Sequence, residues 1–501
     1  MNRLDLHPPE ASAGKVVFRW SITPRSALYR TNGFTMRFPA EIDVTELPDA
    51  LLLAAFLGCV HAHFPLLAPL QVTLPASLGP GEAEFWRRLA EVEAETLDAL
   101  RGGTGVSHAV RIVETGSPLA PVPERPDGRS AAAFSGGRDS LVQAGLLAEL
   151  SDRPLLVACT SGLPPLVDHL AARRREVLAE TPRRIPVDLV EVFSDARLSF
   201  ENRFAEHSGY PVAVNELTDT HLYGATLLLA GWALGASRLF FASEADVQES
   251  VTRDGVTIQH QHLMYAASTH RALSALYGRW GLSLGSLVWP LPGPLVQELL
   301  VRRYPELSDL QYSCWRVGPK EAACNRCSKC RDAALVSLAA GGDPGRAGFD
   351  LVRILLAQRG FAPRRLGELG RPPQPGEIVG RAHDEAAVRA LRNIRFRDLL
   401  AALGRGPARG HSLRARALAA YSFRRLRRRT LHERIAPSPG YWKAAIGWLD
   451  ASFRARLEEI FAASFTPDES LHPVQAVSAS EGLTRRIVEP LRIVVPEEAL
   501  R

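Results

Sequence analysis

The stretch Ala131–Leu150, AAAFSGGRDSLVQAGLLAEL, decides the fold. Small apolar residues form a short strand that ends near Phe134. A helical pattern begins near Arg138. The turn between them is Ser135-Gly136-Gly137. Glycines at such a turn let the backbone adopt positive φ and approach a ligand closely. The free N–H groups of the helix's first turn point into the same space, and the helix dipole adds to their pull on an anion. Ser135 and Ser140 add hydroxyl donors. Asp139 is the odd member, because an acid beside an anion site repels unless a cation lies between; Mg²⁺ would reconcile the two. No Gly-Lys-Ser/Thr follows, so this is not a Walker loop, and it is not the dinucleotide G-x-G-x-x-G pattern.

Working outward, short apolar runs alternate with helical segments: AAAFS, PLLVACTS, VDLVEVFS, RLFFASE and SLVWPL, with helices expected near 138–150, 164–180, 220–234 and 294–304. Apolar strands separated by helices predict an α/β fold, a parallel sheet covered on both faces. Ligands bind such sheets beyond the carboxyl ends of the strands. Upstream, KVVFRWSI, FTMRFP, LQVTLP and AVRIVE read as strands and residues 48–64 and 81–100 as helices, an N-terminal α+β domain over 1–114. The Pro- and Gly-rich segment 115–130 reads as a linker. The nucleotide-binding core spans 131–342, and 343–501 is Arg-rich and mostly helical by pattern.

The chain has 501 residues, 46% hydrophobic and 23% charged, which predicts a globular protein of two or three domains. No apolar segment follows the N-terminus as in a secretory signal. The longest apolar run, Ala50–Val60, reads as a buried helix too short to span a bilayer. A cytoplasmic location without a membrane partner is the expectation. The net charge of +6 is uneven: from Gly341 onward there are 28 basic and 17 acidic residues, so the preceding part is net acidic.

Of six cysteines, Cys59 and Cys159 stand alone in apolar surroundings, and Cys314, Cys324, Cys327 and Cys330 cluster. Three thiolates within seven residues, plus one looping back, can close a tetrahedron around Zn²⁺. Lys320, Arg326, Lys329 and Arg331 would offset the charge. An iron–sulfur cluster is the competing reading, but the ferredoxin run would need a fourth cysteine where Ala334 stands.

Ser135–Ser140 resembles the S-G-G-x-D-S pyrophosphate loop of the N-type (PP-loop) ATP pyrophosphatases. With the cysteine loop and the approach LVWPLPGPLVQELLVRRYPELSDLQYSCW, the chain from Ala131 to about Gly342 resembles the 7-cyano-7-deazaguanine synthase (QueC) family. The resemblance implies an adenine-nucleotide α-hydrolase fold, ATP as co-substrate, Mg²⁺, and structural zinc on the four cysteines. It implies that Ser135, Gly136, Gly137, Arg138, Asp139 and Ser140 hold ATP and its pyrophosphate, with Asp139 and Arg138 catalytic. Where the family carries G-x-N-x-x-D, this chain reads FASEADVQES, leaving Glu244 and Asp246 as the acidic groups; the family's lysine before the cysteine loop is absent. Longer relatives occur in the Qat and type IV CBASS antiphage systems, where related chemistry links a deazaguanine to a protein amine. The expected function is therefore adenylation of 7-carboxy-7-deazaguanine and transfer to an amine, a partner protein's N-terminus. Three alternatives stay open: a nitrile synthase using ammonia, a tRNA-modifying enzyme, and a nucleotide-binding module without catalysis. A homodimer is compatible with all of them.

Four further features remain. His221 is a candidate substrate contact, and Asp219 beside it reads as a helix N-cap. His260, His262 and His270 read as solvated loop histidines, and Cys159 as core. The stretch ARGHSLRARALAAYSFRRLRRRTLHER sets Tyr421 and Phe423 among arginines, as nucleic-acid surfaces do. An Arg-rich helical face or a dock for an acidic partner are the other readings.

Overall fold

The computed structural model describes residues 1–101, 109–123, 128–161, 168–207, 214–248, 251–253, 256–258, 265–312, 322–357, 378–431 and 440–493. The chain begins with β1 (Asn2–Leu6), β2 (Glu10–Ser12), β3 (Lys15–Thr23) and β4 (Gly33–Arg37). Helix α1 (Asp49–Val60) runs on through a tight turn, His61–His63, into α2 (Phe64–Leu67). Then come β5 (Leu70–Leu74), α3 (Glu82–Arg101) and β6 (Val110–Glu114). The second half of the sheet follows: β7 (Arg129–Ala133), α4 (Arg138–Leu150), β8 (Leu155–Ser161), α5 (Asp168–Arg184) and β9 (Asp188–Ser194). After α6 (Phe204–His207) and α7 (Val214–Ala233), β10 (Ala236–Phe240) returns to the sheet. A hairpin, β11 (Val251–Arg253) and β12 (Val256–Ile258), precedes α8 (Ala267–Tyr277), β13 (Ser283–Gly285) and α9 (Gly293–Arg303).

Apart from β11 and β12, which form their own two-stranded sheet, these strands form one large, mostly parallel sheet in the order β13-β10-β7-β8-β9-β4-β3-β1-β5-β6, with β2 joined to β3. The five strands β13, β10, β7, β8 and β9 are parallel. From β7 the chain steps outward to β8 and β9, then returns to β10 on the other side of β7. The order therefore reverses between β7 and β10, and a crevice opens at their carboxyl ends. Alternation sorts the side chains of this sheet onto two faces. Ala131, Leu155, Val157 and Cys159 face the core shared with α1 and α7, and Ala132, Leu156 and Ala158 face the core shared with α4 and α9.

The N-terminal strands continue this sheet instead of standing apart. β4 pairs antiparallel with β9 through Met36 opposite Ser194 and Arg37 opposite Phe193. Their apolar side chains join the core that holds α1 and α7. Within the expected linker, Leu119 donates its N–H to the Ser77 carbonyl at 3.2 Å and Ser77 donates to that of Ser117 at 3.1 Å. Residues 115–119 are thus bound to the chain at and just past the end of β5 rather than hanging as a tether.

Other expectations shift in detail. SLVWPL is not a strand: the strand is Ser283–Gly285 just before it, and Ser286–Leu291 turn, with Ser286 Oγ bonded to the Ser243 carbonyl at 2.9 Å. The apolar helical run extends from Asp49 to Leu67, 19 residues, long and apolar enough to cross a membrane, yet 83% of its most apolar window is buried inside the fold. The C-terminal region is helical where described, and it divides between two cores. Ile378–Asn393, Phe396–Leu403 and Leu413–Thr430 pack on the helix after the cysteines. Ala451–Ser464 packs beneath α4 and α9. Leu471–Val488 reaches back to the N-terminal half, where Arg486 pairs with Glu95. The segments RPPQPG and most of IAPSPG lie outside the described residues.

Candidate functional site

The Ser-Gly-Gly turn follows β7 and opens α4 as the sequence predicts. Gly136 has φ +77°, and a Cβ there would lie 2.8 Å from Val177 Cγ1, so glycine is required twice over. Its carbonyl accepts from the Tyr312 N–H at 2.8 Å, which fixes the turn from outside. Ser135 is exposed, and its hydroxyl lies 3.2 Å from that of Ser140. Ser140 Oγ also donates to the Gly137 carbonyl at 3.0 Å, closing the first turn of α4 on itself.

Across the crevice, the segment after β10 brings Glu244 and Asp246. Gln248, fully buried, fixes it: its amide nitrogen donates to Ser243 Oγ at 2.8 Å and to the Tyr265 carbonyl at 3.0 Å, and its amide oxygen accepts from the Ala267 N–H at 2.6 Å. Asp246 Oδ2 accepts from the Gly293 N–H at 2.8 Å, at the start of α9. A Cβ at Gly293 would meet Asp246 Oδ2 at 2.8 Å and Arg138 Nη2 at 2.9 Å, so a side chain there would push these two groups aside.

Arg138 is the hub. Its guanidinium pairs with Asp139 at 2.8 Å, Glu244 at 3.2 Å and Asp332 at 3.7 Å. The side chain is buried, and these carboxylates hold its pKa above the ordinary value despite the cost of burial. The arrangement corrects the expectation that Arg138 faces a departing phosphate: its charge is committed to three carboxylates inside the protein. Burial, and then the negative Asp139 and Asp246, push the Glu244 carboxyl up to about 7 against the pull of Arg138. Excess negative charge around one arginine favours an added cation. Asp139, Glu244 and Asp246 are oxygen donors, the type Mg²⁺ takes; they are not among the clusters of described residues whose ligand atoms lie within 4.8 Å of one another. Asp332 was missed in the sequence; its only signal is its position two residues after Cys330.

Asp332 lies on α11 (Ser328–Ala339), reached from α9 through the short α10 (Pro305–Ser308). The cysteines sit at the start of α11. Cys324 and Cys330 are buried, with sulfurs 3.7 Å apart, close to the tetrahedral edge of roughly 3.8 Å that a Zn–S bond of about 2.3 Å implies. Cys327 caps the helix, its sulfur accepting from the Cys330 N–H at 3.4 Å. Asn325, at φ +57°, makes the tight knuckle between Cys324 and Cys327. The three thiols converge closely enough to hold a metal ion such as zinc. Cys314 lies outside the described residues, as do His260 and His262. The same helix links the knuckle to the crevice, because Asp332 meets Arg138 on one side and Arg331 pairs with Asp384 of Ile378–Asn393 on the other.

The remaining candidates are placed elsewhere. His221 is buried within α7, with Nε2 3.2 Å from Glu93 Oε1, and the His61 ring packs edge-on against it at 4.4 Å. It joins that trio and not the Glu244 segment. Asp219 is no N-cap: α7 begins at Val214, and Asp219 pairs with Arg197, whose Nε lies 2.6 Å from Oδ1. Cys159 is buried in the core, and burial raises its thiol pKa. His270 is fully buried, against Phe241 and Trp289, and is not a solvated loop residue. On Leu413–Thr430, Tyr421 is 64% exposed but Phe423 is buried, so the arginine face presents one of the two aromatic rings.

Comparison with protein-family models, curated proteins and solved structures finds no match for this chain.

Proposed function

We propose that the chain is a QueC-like PP-loop enzyme that adenylates a carboxylate, 7-carboxy-7-deazaguanine, and passes it to an amine. The observation that carries the reading is the meeting of the Ser-Gly-Gly turn with the Glu244–Asp246 segment where the strand order reverses. A phosphate-shaped turn on one lip and carboxylates on the other suit a nucleotide polyphosphate with a divalent cation.

In the proposed reaction, a carboxylate oxygen of the substrate attacks the α-phosphorus of ATP. The bond from that phosphorus to the pyrophosphate oxygen breaks, leaving an acyl adenylate. The amine nitrogen then attacks the acyl carbon, loses a proton, and AMP departs. The N–H groups of Gly137 and the first turn of α4, with the Ser135 and Ser140 hydroxyls, would receive the pyrophosphate. Asp139, Glu244 and Asp246 would hold Mg²⁺, which supplies charge neutralisation on the phosphates. Arg138 acts as a positioning residue that sets the spacing of Asp139 and Glu244. Zinc on the cysteine knuckle would be structural, orienting α11 and therefore Asp332. The acceptor in this reading is the N-terminal amine of a partner protein in an antiphage system, following the longer relatives that the motifs resemble.

The test is a reaction of the full chain with ATP, Mg²⁺ and 7-carboxy-7-deazaguanine. Pyrophosphate and AMP should appear only with the deazaguanine present, and a partner protein should gain the mass of the acyl group. Nitrile formed with ammonia alone would favour the synthase alternative. ATP bound but uncleaved with every acceptor would overturn the enzyme reading.

A further inference from the structure

We infer that His61, Glu93 and His221 form a second metal site, distinct from the cysteine knuckle, that takes a zinc-class divalent transition metal. The three residues come from the turn after α1, from α3 and from the middle of α7, and their side chains are 0%, 2% and 3% exposed. Their ligand atoms all lie within 4.8 Å of one another.

The donor geometry points to a cation between them. His61 Nδ1 lies 2.9 Å from the Leu57 carbonyl, so that nitrogen carries the proton. In a neutral ring Nε2 then presents a lone pair, and it faces Glu93 Oε1 at 2.9 Å. His221 Nε2 lies 3.2 Å from the same oxygen. Two imidazole nitrogens thus converge on one carboxylate oxygen. These separations approach the tetrahedral edge of roughly 3.3 Å expected for Zn–N and Zn–O bonds near 2.0–2.1 Å. A backbone carbonyl on the far nitrogen is also the usual orienting partner of a metal-bound histidine.

Glu93 adds an independent sign. Its other oxygen, Oε2, is buried and has no hydrogen-bond partner among the described residues. A proton shared with His61 would satisfy Oε1 and leave Oε2 bare, whereas a metal can take both oxygens and reach four ligand atoms from three side chains. His63 is not among them: its Nε2 faces Thr218 Oγ1 at 2.7 Å, and that hydroxyl is already spent on the Val214 carbonyl at 2.9 Å. Two imidazoles and one carboxylate select zinc-class metals over Mg²⁺ or Ca²⁺. The site is sealed, so its role is to fasten α1 and α3 of the N-terminal half to α7 of the nucleotide-binding half.

The experiment measures bound metal in the full chain after gel filtration through a mild chelator. His61→Gln, Glu93→Gln and His221→Gln should each hold one zinc equivalent fewer than the unaltered chain, and Cys327→Ser should leave that equivalent in place. X-ray absorption at the zinc edge, taken on the unaltered chain, guards against variants that fail to fold. It should show a nitrogen/oxygen shell, and Cys327→Ser should not diminish that shell. A spectrum with sulfur scatterers alone, or equal zinc in folded His221→Gln and unaltered chain, would overturn the inference.

Discussion

The carboxylate crevice around Arg138 and the sealed trio around Glu93 solve the same electrostatic problem in opposite ways. In the crevice, one buried arginine is surrounded by Asp139, Glu244 and Asp332, while Asp139 stays 30% exposed and Ser135 opens to solvent. Negative charge is left over, and burial raises the Glu244 carboxyl because it cannot be fully matched. In the trio, one carboxylate meets two imidazoles and nothing reaches solvent. If the crevice exchanges a ligand as proposed, its reserve of negative charge sits where a cation can enter; the trio, by contrast, is closed to solvent.

The comparison can be broken most decisively at Asp139. Asp139→Asn should lower adenylate formation about 10³-fold in a pyrophosphate-release assay while zinc content and melting temperature hold; a fully active variant would reduce the mouth to an ordinary turn. Next in size is Arg138→Met, which leaves Asp332 and Glu244 facing each other without their cation. Urea unfolding should report a loss of about 3 kcal/mol, larger than for any exposed arginine. Gly136→Ala should cost about 1–2 kcal/mol for its positive φ, with Val177→Ala relieving only the added steric part. Glu244 sharpens the contrast through pH. Its carboxyl, raised to about 7 from an ordinary 4.5, binds a proton more tightly in the folded chain than in the unfolded one. The contribution is therefore present at low pH and lost as pH climbs from about 4.5 through 7. Glu244→Gln should flatten that slope in denaturant titrations. Smallest of all, replacing exposed Arg428 and Arg429 by Ser should shift stability by less than about 0.5 kcal/mol. Salt-sensitive RNA binding that vanishes with them would support the nucleic-acid reading of that face.

Legibility followed distance along the chain. The Ser-Gly-Gly turn was readable because a strand, a turn and a helix start are consecutive, and the backbone demands at Gly136 are local. The cysteine knuckle was readable for the same reason. Glu244 and Asp246 were placed because they follow β10 directly. Arg138 was assigned the wrong direction, since nothing in its neighbours reveals Asp332 waiting almost two hundred residues later. His221 looked like a loop contact because α7 was expected to start at 220; it starts at Val214, which sinks His221 into the helix and against Glu93. Four N-terminal strands, β3 to β6, were found individually, but β1 and β2 were missed and the pairing was not seen. Alternating apolar residues say that a strand has a buried face, not which edge it will join.

The seam between β4 and β9 rests on two residue pairs, yet it is where one half of the sheet hands over to the other. Severing the chain near residue 123 would strip both borders at once, leaving two ladders of unanswered amide and carbonyl groups. Fragments made that way should clump in the tube rather than fold as tidy modules, and any biochemistry attempted on them would report on the clumps.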